Sequence, residues 1–146
     1  MRYLITGGAG FIGSHVADAL ITRGHELVIL DDFSTGRHVN VDQLSATGAV
    51  ELVEGCVTDA DLVDPLIRRC DGCLHLASAV GVKLVVANPL ETLRRIVHGT
   101  DVVMSASARA DKRVLFASTS EVYGKNSEGA LHEDSDRILG SAFKSR

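Results

Sequence analysis

Thr6-Gly7-Gly8-Ala9-Gly10-Phe11-Ile12-Gly13 is the stretch that decides the fold. It joins a short apolar run, Tyr3-Leu4-Ile5-Thr6, to a segment with helical spacing, Phe11 to Thr22. An apolar run ending at a glycine cluster reads as a buried strand, and Ile12, Val16, Ala19 and Leu20 recur as one face of a helix. In a strand-turn-helix context the glycines have separate duties. Gly7 permits the tight turn, Gly10 lets backbone approach a pyrophosphate, and Gly13 lets the helix pack on the strand. The helix start offers unpaired N–H groups and a partial positive charge to phosphates. Glu26 to Leu30 is the second strand and ends in Asp31-Asp32, with Asp31 lying 18 residues past Gly13. A carboxylate there accepts the ribose hydroxyls of a dinucleotide and repels a 2′-phosphate. NAD is therefore expected over NADP, with Arg37 as the one counter-signal. The bland alternative is a glycine-rich turn that binds nothing.

Outward from this unit the alternation continues. Gly24 stands where a helix C-terminus needs it. Ser34 to Thr47 is polar and loop-like, with a short helix expected around Val41–Leu44. Val50 to Val53, Cys73 to Leu76 and Val114 to Ala117 read as strands. Asp59 can cap a helix running through Arg69, and Pro89 suits the first turn of a long helix to about Ala110. The segment from Gly124 to Arg146 reads as polar loop. Near-continuous apolar strands alternating with helices predict an α/β fold, a parallel sheet of about five strands covered on both faces and doubly wound.

The chain has 146 residues, which suits one domain spanning 1–146. With 15 basic against 19 acidic residues, it lacks the basic stripe of a nucleic-acid surface. No apolar run approaches the roughly 20 residues that cross a bilayer. The N-terminus runs straight into a strand, so no signal peptide is expected. Cys56, Cys70 and Cys73 then read as reduced thiols of a cytoplasmic protein. No metal site is expected: Cys70-Asp71-Gly72-Cys73 bridges a helix end and a strand and reads as buried structural thiols. His75 reads as a packed core residue, Arg94 and Arg95 as facing solvent or a partner helix, and Lys83 as a candidate phosphate contact.

The glycine loop resembles that of the extended short-chain dehydrogenase/reductases. Four later segments carry the same resemblance: Asp31-Asp32-Phe33-Ser34-Thr35-Gly36-Arg37; Cys73-Leu74-His75-Leu76-Ala77-Ser78; Asn88-Pro89 with Val97-His98-Gly99-Thr100; and Ala117-Ser118-Thr119-Ser120-Glu121-Val122-Tyr123-Gly124. The resemblance implies a Rossmann-type sheet of strand order 3-2-1-4-5. It implies a cofactor site for NAD built from Gly7, Gly10, Phe11, Ile12, Gly13, Asp31, Asp32, Ser34, Thr35, Gly36, Cys56, Val57, Leu76, Ala77, Ser78 and Ser118. Thr119 and Glu121 fall at catalytic positions, Thr119 to hold the sugar 4-hydroxyl and Glu121 to handle a proton or position a carboxylate. Ser120-Glu121, in place of Asp-Glu, is similar to the UDP-glucuronate decarboxylases, with a sugar 4-epimerase as the other option.

The implied chemistry is hydride removal from C4 of a nucleotide sugar, UDP-linked by the resemblance, to give a 4-keto group that permits loss of CO₂ or epimerisation. The family's base is the Tyr of a Tyr-x-x-x-Lys motif. Neither Tyr3 nor Tyr123 has Lys four residues on. The chain therefore reads as the N-terminal portion of such an enzyme, without its substrate domain and inactive as a fragment; the alternative is a catalytically silent NAD-binding module. Cys56 stands where the family has Asp, and Ile96 where it has Asn, which implies weaker NAD binding. A fifth strand at the sheet edge implies self-association.

Overall fold

The computed structural model describes residues 1–79, 82–126 and 129–140, with backbone alone at 82–84. The chain divides into two compact units, Met1–Phe116 and Ala117–Arg146.

In the first unit, β1 (Arg2–Thr6), β2 (Glu26–Asp31), β3 (Val50–Glu54), β4 (Gly72–His75) and β5 (Arg113–Phe116) form one parallel sheet of order β3-β2-β1-β4-β5. Five helices connect them: α1 (Phe11–Thr22), α2 (Asp42–Ser45), α3 (Ala60–Arg68), α4 (Val82–Ala87) and α5 (Pro89–Arg109). Because side chains alternate along a strand, neighbouring residues of β1 and β2 serve opposite faces. Leu4, Val28 and Leu30 pack with Val63 and Ile67 of α3 and Val103 of α5. Ile5, Leu27 and Ile29 pack with Ala17 of α1 and Val41. The sheet is thus a middle layer between α1–α2 and α3–α5.

The face of α1 that meets the sheet only partly matches the one its apolar spacing suggests: Val16 and Leu20 pack partly buried against the core. Gly13, Ser14 and Ala17 are buried, whereas Ile12 and Ala19 point to solvent. Close approach selects the small residues: a Cβ on Gly13 would collide with the Gly7 carbonyl oxygen. Asp59 caps α3 as its type predicts, accepting from the amides of Asp61 (3.1 Å) and Leu62 (3.2 Å).

Strand order reverses at β1, since β2 lies on one side of it and β4 on the other. Chains leaving β1 and β4 therefore diverge to opposite faces and leave a crevice at the strands' C-terminal ends.

The second unit carries a 3₁₀ turn, Ser120–Tyr123, and a single bridge between Gly124 and Ile138. Asn126 donates to the Asp136 carbonyl at 2.9 Å.

Candidate functional site

A cleft of about 370 Å³ opens at the crevice. Its lining comes from the glycine loop, the ends of β2 and β4, the turn after β3 and the first turns of α5. Among the residues that the sequence singles out, Gly7, Gly10, Asp31, Asp32, Ser34, Thr35, Cys56, Val57, Leu76, Ala77 and Ser78 line it.

Gly7 has φ +73°, and a Cβ there would stand 2.7 Å from the Ala77 backbone nitrogen. The loop can touch the β4 strand end only because no side chain intervenes. Gly10 precedes α1 without a side-chain acceptor, and the first turn of α1 contains no acid. The helix therefore begins with its orphan N–H groups uncapped by side chains. Phe11 and Ile12 are 78% and 65% exposed, so what they contribute at this end is backbone. Gly13 is packed against the loop, and Gly36 lies beside the Asp31 carboxylate.

Asp31 does more than its spacing announces. It is buried, and its Oδ2 accepts from the Ala9 amide while Oδ1 accepts from the Phe33 amide, both at 2.9 Å. Each oxygen keeps a second lone pair. The same carboxylate thus fixes the glycine loop against the end of β2 and bends the following chain into the left-handed conformation of Phe33 (φ 53°). Asp32 turns outward: Oδ1 accepts from the amide (3.0 Å) and hydroxyl (2.6 Å) of Ser34.

Beneath the β4 end sits a buried polar relay. His75 Nδ1 lies 2.7 Å from Thr6 Oγ1, and His75 Nε2 lies 3.4 Å from Thr100 Oγ1. Thr6 Oγ1 also accepts from the Ala77 amide at 3.2 Å. Burial holds the His75 pKa below its usual 6.5, so the ring is neutral and ties β1, β4 and α5 under the cleft. Cys56 is half-buried and accepts from the Thr58 hydroxyl at 3.1 Å. Burial pushes the Cys73 thiol up to about 12 and raises Cys70 as well, consistent with structural thiols.

The cleft also takes in Asn88, Glu91, Thr92 and Arg95 from α5 and its start. Arg95 is exposed, as expected, and it also lines the cleft, where it pairs with Asp32 at 3.5 Å. Helical spacing alone does not say which turn of α5 leans over the sheet end. The side chain of Lys83 lies outside the described residues.

All cleft-lining residues belong to the first unit. Ser118, Thr119 and Glu121 belong to the second. There Thr119 caps the 3₁₀ turn, its hydroxyl oxygen accepting from the Glu121 amide at 3.3 Å.

The family model described as "NAD dependent epimerase/dehydratase family" matches residues 3–141. The chain belongs to that family. Among its members, a UDP-N-acetyl-alpha-D-glucosaminuronate decarboxylase of Bacillus cytotoxicus is 39% identical over 99% of this chain and 44% of its own length. UDP-glucuronic acid decarboxylase 1 of Xenopus tropicalis is 40% identical over 95% of the chain and 31% of its own. A UDP-glucose-4-epimerase of Stenotrophomonas maltophila, crystallised with NAD and formylated UDP-arabinopyranose, superposes with a TM-score of 0.86 at 28% identity, covering 94% of this chain and 43% of that one. The chain thus spans less than half the length of these family members. Among the described residues, no helix is long and apolar enough to cross a membrane.

Proposed function

We propose that this chain binds NAD in the cleft at the β1–β4 switch point, as the cofactor-holding part of a nucleotide-sugar-modifying enzyme. The observation that carries the reading is the pinned Asp31 beside a side-chain-free loop that opens onto an uncapped helix start. The donor set fits the group. Gly7, Gly10 and the amides of Phe11, Ile12 and Gly13 would hold the diphosphate; Asp31, with Asp32, Ser34, Thr35 and Gly36 around it, would hold the adenosine ribose. Cys56 and Val57 would flank the adenine, and Leu76, Ala77 and Ser78 the remainder of the cofactor. When bound, NAD supplies the hydride acceptor for the sugar.

The two decarboxylases named above and the Ser120-Glu121 pair support a UDP-uronate decarboxylase, and the epimerase that superposes on the chain supports a sugar 4-epimerase as the second reading. In the decarboxylase reading Thr119 orients the sugar 4-hydroxyl and Glu121 holds a proton or aligns the carboxylate. This chain by itself binds without turnover, because neither of its tyrosines is followed by the lysine that would lower its pKa.

Calorimetric titration tests the binding: saturable heat with NAD or NADH is expected, and none at millimolar dinucleotide on folded protein overturns the reading. Incubation with UDP-glucuronate and NAD tests the second part. No UDP-xylose is expected, and its formation would show that this chain is catalytically complete.

A further inference from the structure

Beyond Asp31 the cleft is walled by the turn that follows β3, Gly55 to Thr58. Asp31 faces Glu54 in the parallel register, and the Gly55 amide donates to the Asp31 carbonyl at 3.0 Å. A ribose held at Asp31 therefore sets its purine against this turn. Val57 is the apolar part of the wall. It is held so close to α5 that a Cβ on Gly99 would stand 2.6 Å from its Cγ2.

Adenine and hypoxanthine differ at the 6-position, an amino donor in the first and a carbonyl acceptor in the second. The turn holds little that favours the amino group. The Cys56 carbonyl accepts from the Asp59 amide at 3.1 Å, and the Asp59 carboxylate is turned to capping α3. Cys56 Sγ is a weak acceptor, and it already accepts from the Thr58 hydroxyl at 3.1 Å. Glu91 of α5 also lines the cleft, but its side chain is 61% exposed and accepts from Arg95 at 3.3 Å. A charge so open to water selects weakly. A carbonyl oxygen fares no worse at this end. The Thr58 hydroxyl can turn to it from the sulfur, and the Cys56 S–H is itself a donor. Cys56, Thr58, Glu91 and Arg95 also line an adjoining hollow of about 960 Å³. The base end thus opens outward, and either group keeps water as a partner.

We infer that Cys56 makes the cleft indifferent to the group at the 6-position of the purine. Among the described lining residues no strong acceptor is placed to demand an amino group, so a dinucleotide carrying hypoxanthine binds as readily as NAD. This rests on the cleft being the dinucleotide site, and the test keeps the two claims apart. NADH and reduced nicotinamide hypoxanthine dinucleotide are titrated by their own fluorescence against the parent chain and Cys56→Asp. For the parent, the two Kd values are expected within about threefold of each other, and a larger difference overturns the proposal. Cys56→Asp adds an acceptor that suits the amino group and sets a charge against the carbonyl oxygen. It is expected to prefer NADH by about tenfold, as one charge-assisted hydrogen bond allows. A Cys56→Asp chain that binds both alike also overturns the proposal, because position 56 would then not face the 6-position. Circular dichroism reports whether the variant is folded; where it is not, the parent's ratio decides alone. If the parent binds neither dinucleotide, the cofactor reading itself fails and this proposal falls with it.

Discussion

Single side chains in this chain are set apart by burial more than by type. Cys56, Cys70 and Cys73 are all free thiols, yet only Cys56 lines the cleft, while Cys73 is pushed up to about 12. Thiolate is the attacking species, so iodoacetamide at neutral pH is expected to label Cys56 and spare Cys70 and Cys73 until the chain unfolds. Peptide mass spectrometry reads this, and NAD should slow labelling at Cys56. Labelling of Cys73 at the same rate as Cys56 in native protein would contradict the packing described. His75 offers a second measurement. Its neighbours Thr6, Thr100 and the ring of Phe116 carry no charge, so burial alone lowers its pKa from 6.5. The unfolded chain then takes up the proton first. His75 contributes stability above 6.5 that is lost as pH falls toward its lowered native value. Urea denaturation at neutral and mildly acidic pH should show this slope, and His75→Asn should flatten it; an unchanged slope would place the effect on another group.

At the scale of elements, strands were the most legible part of the sequence. Each of the five expected runs lies within one residue of the strand observed; the central strands β1, β2 and β4, largely buried, announce themselves as apolar runs, and β5 reads alike although Leu115 and Phe116 are exposed. The cap at Asp59 was equally plain, and it is a clean place to test the ledger of α3. Asp59→Ala leaves the amides of Asp61 and Leu62 without their acceptor and should cost about 1 kcal/mol in chemical denaturation. A change near zero would mean that water replaces the cap. Helices were read less well. In α1 the periodicity pointed to Ile12, but the buried positions are those small enough for contact with the loop, a distance that no spacing rule contains. α4 escapes the sequence reading because Val82 to Ala87 is short, half of it is valine, and it carries no cap signal. In the cleft, the glycines and Asp31 were legible from local chemistry. Glu91, Thr92 and Arg95 were not, since their place depends on where α5 crosses the sheet end.

For the molecule as a whole, the sheet's outer strand carries a consequence. Leu115 and Phe116 on β5 are 59% and 46% exposed, and among the described residues no strand pairs beyond them. Exposed apolar edge strands invite pairing with other chains, so self-association is proposed. Sedimentation over a wide concentration range should show the mean mass rising, and a constant monomer mass would refute it. The two neighbouring acids at the end of β2 carry a different kind of consequence. Asp31 is structural, for its oxygens hold Ala9 and Phe33 in place. Asp32 secures only its own turn and one cation. Replacing the first acid must therefore release both the glycine loop and the turn at Phe33, whereas replacing the second disturbs one exposed turn and one exposed ion pair, so of two adjacent carboxylates only one is free to vary without rebuilding its surroundings.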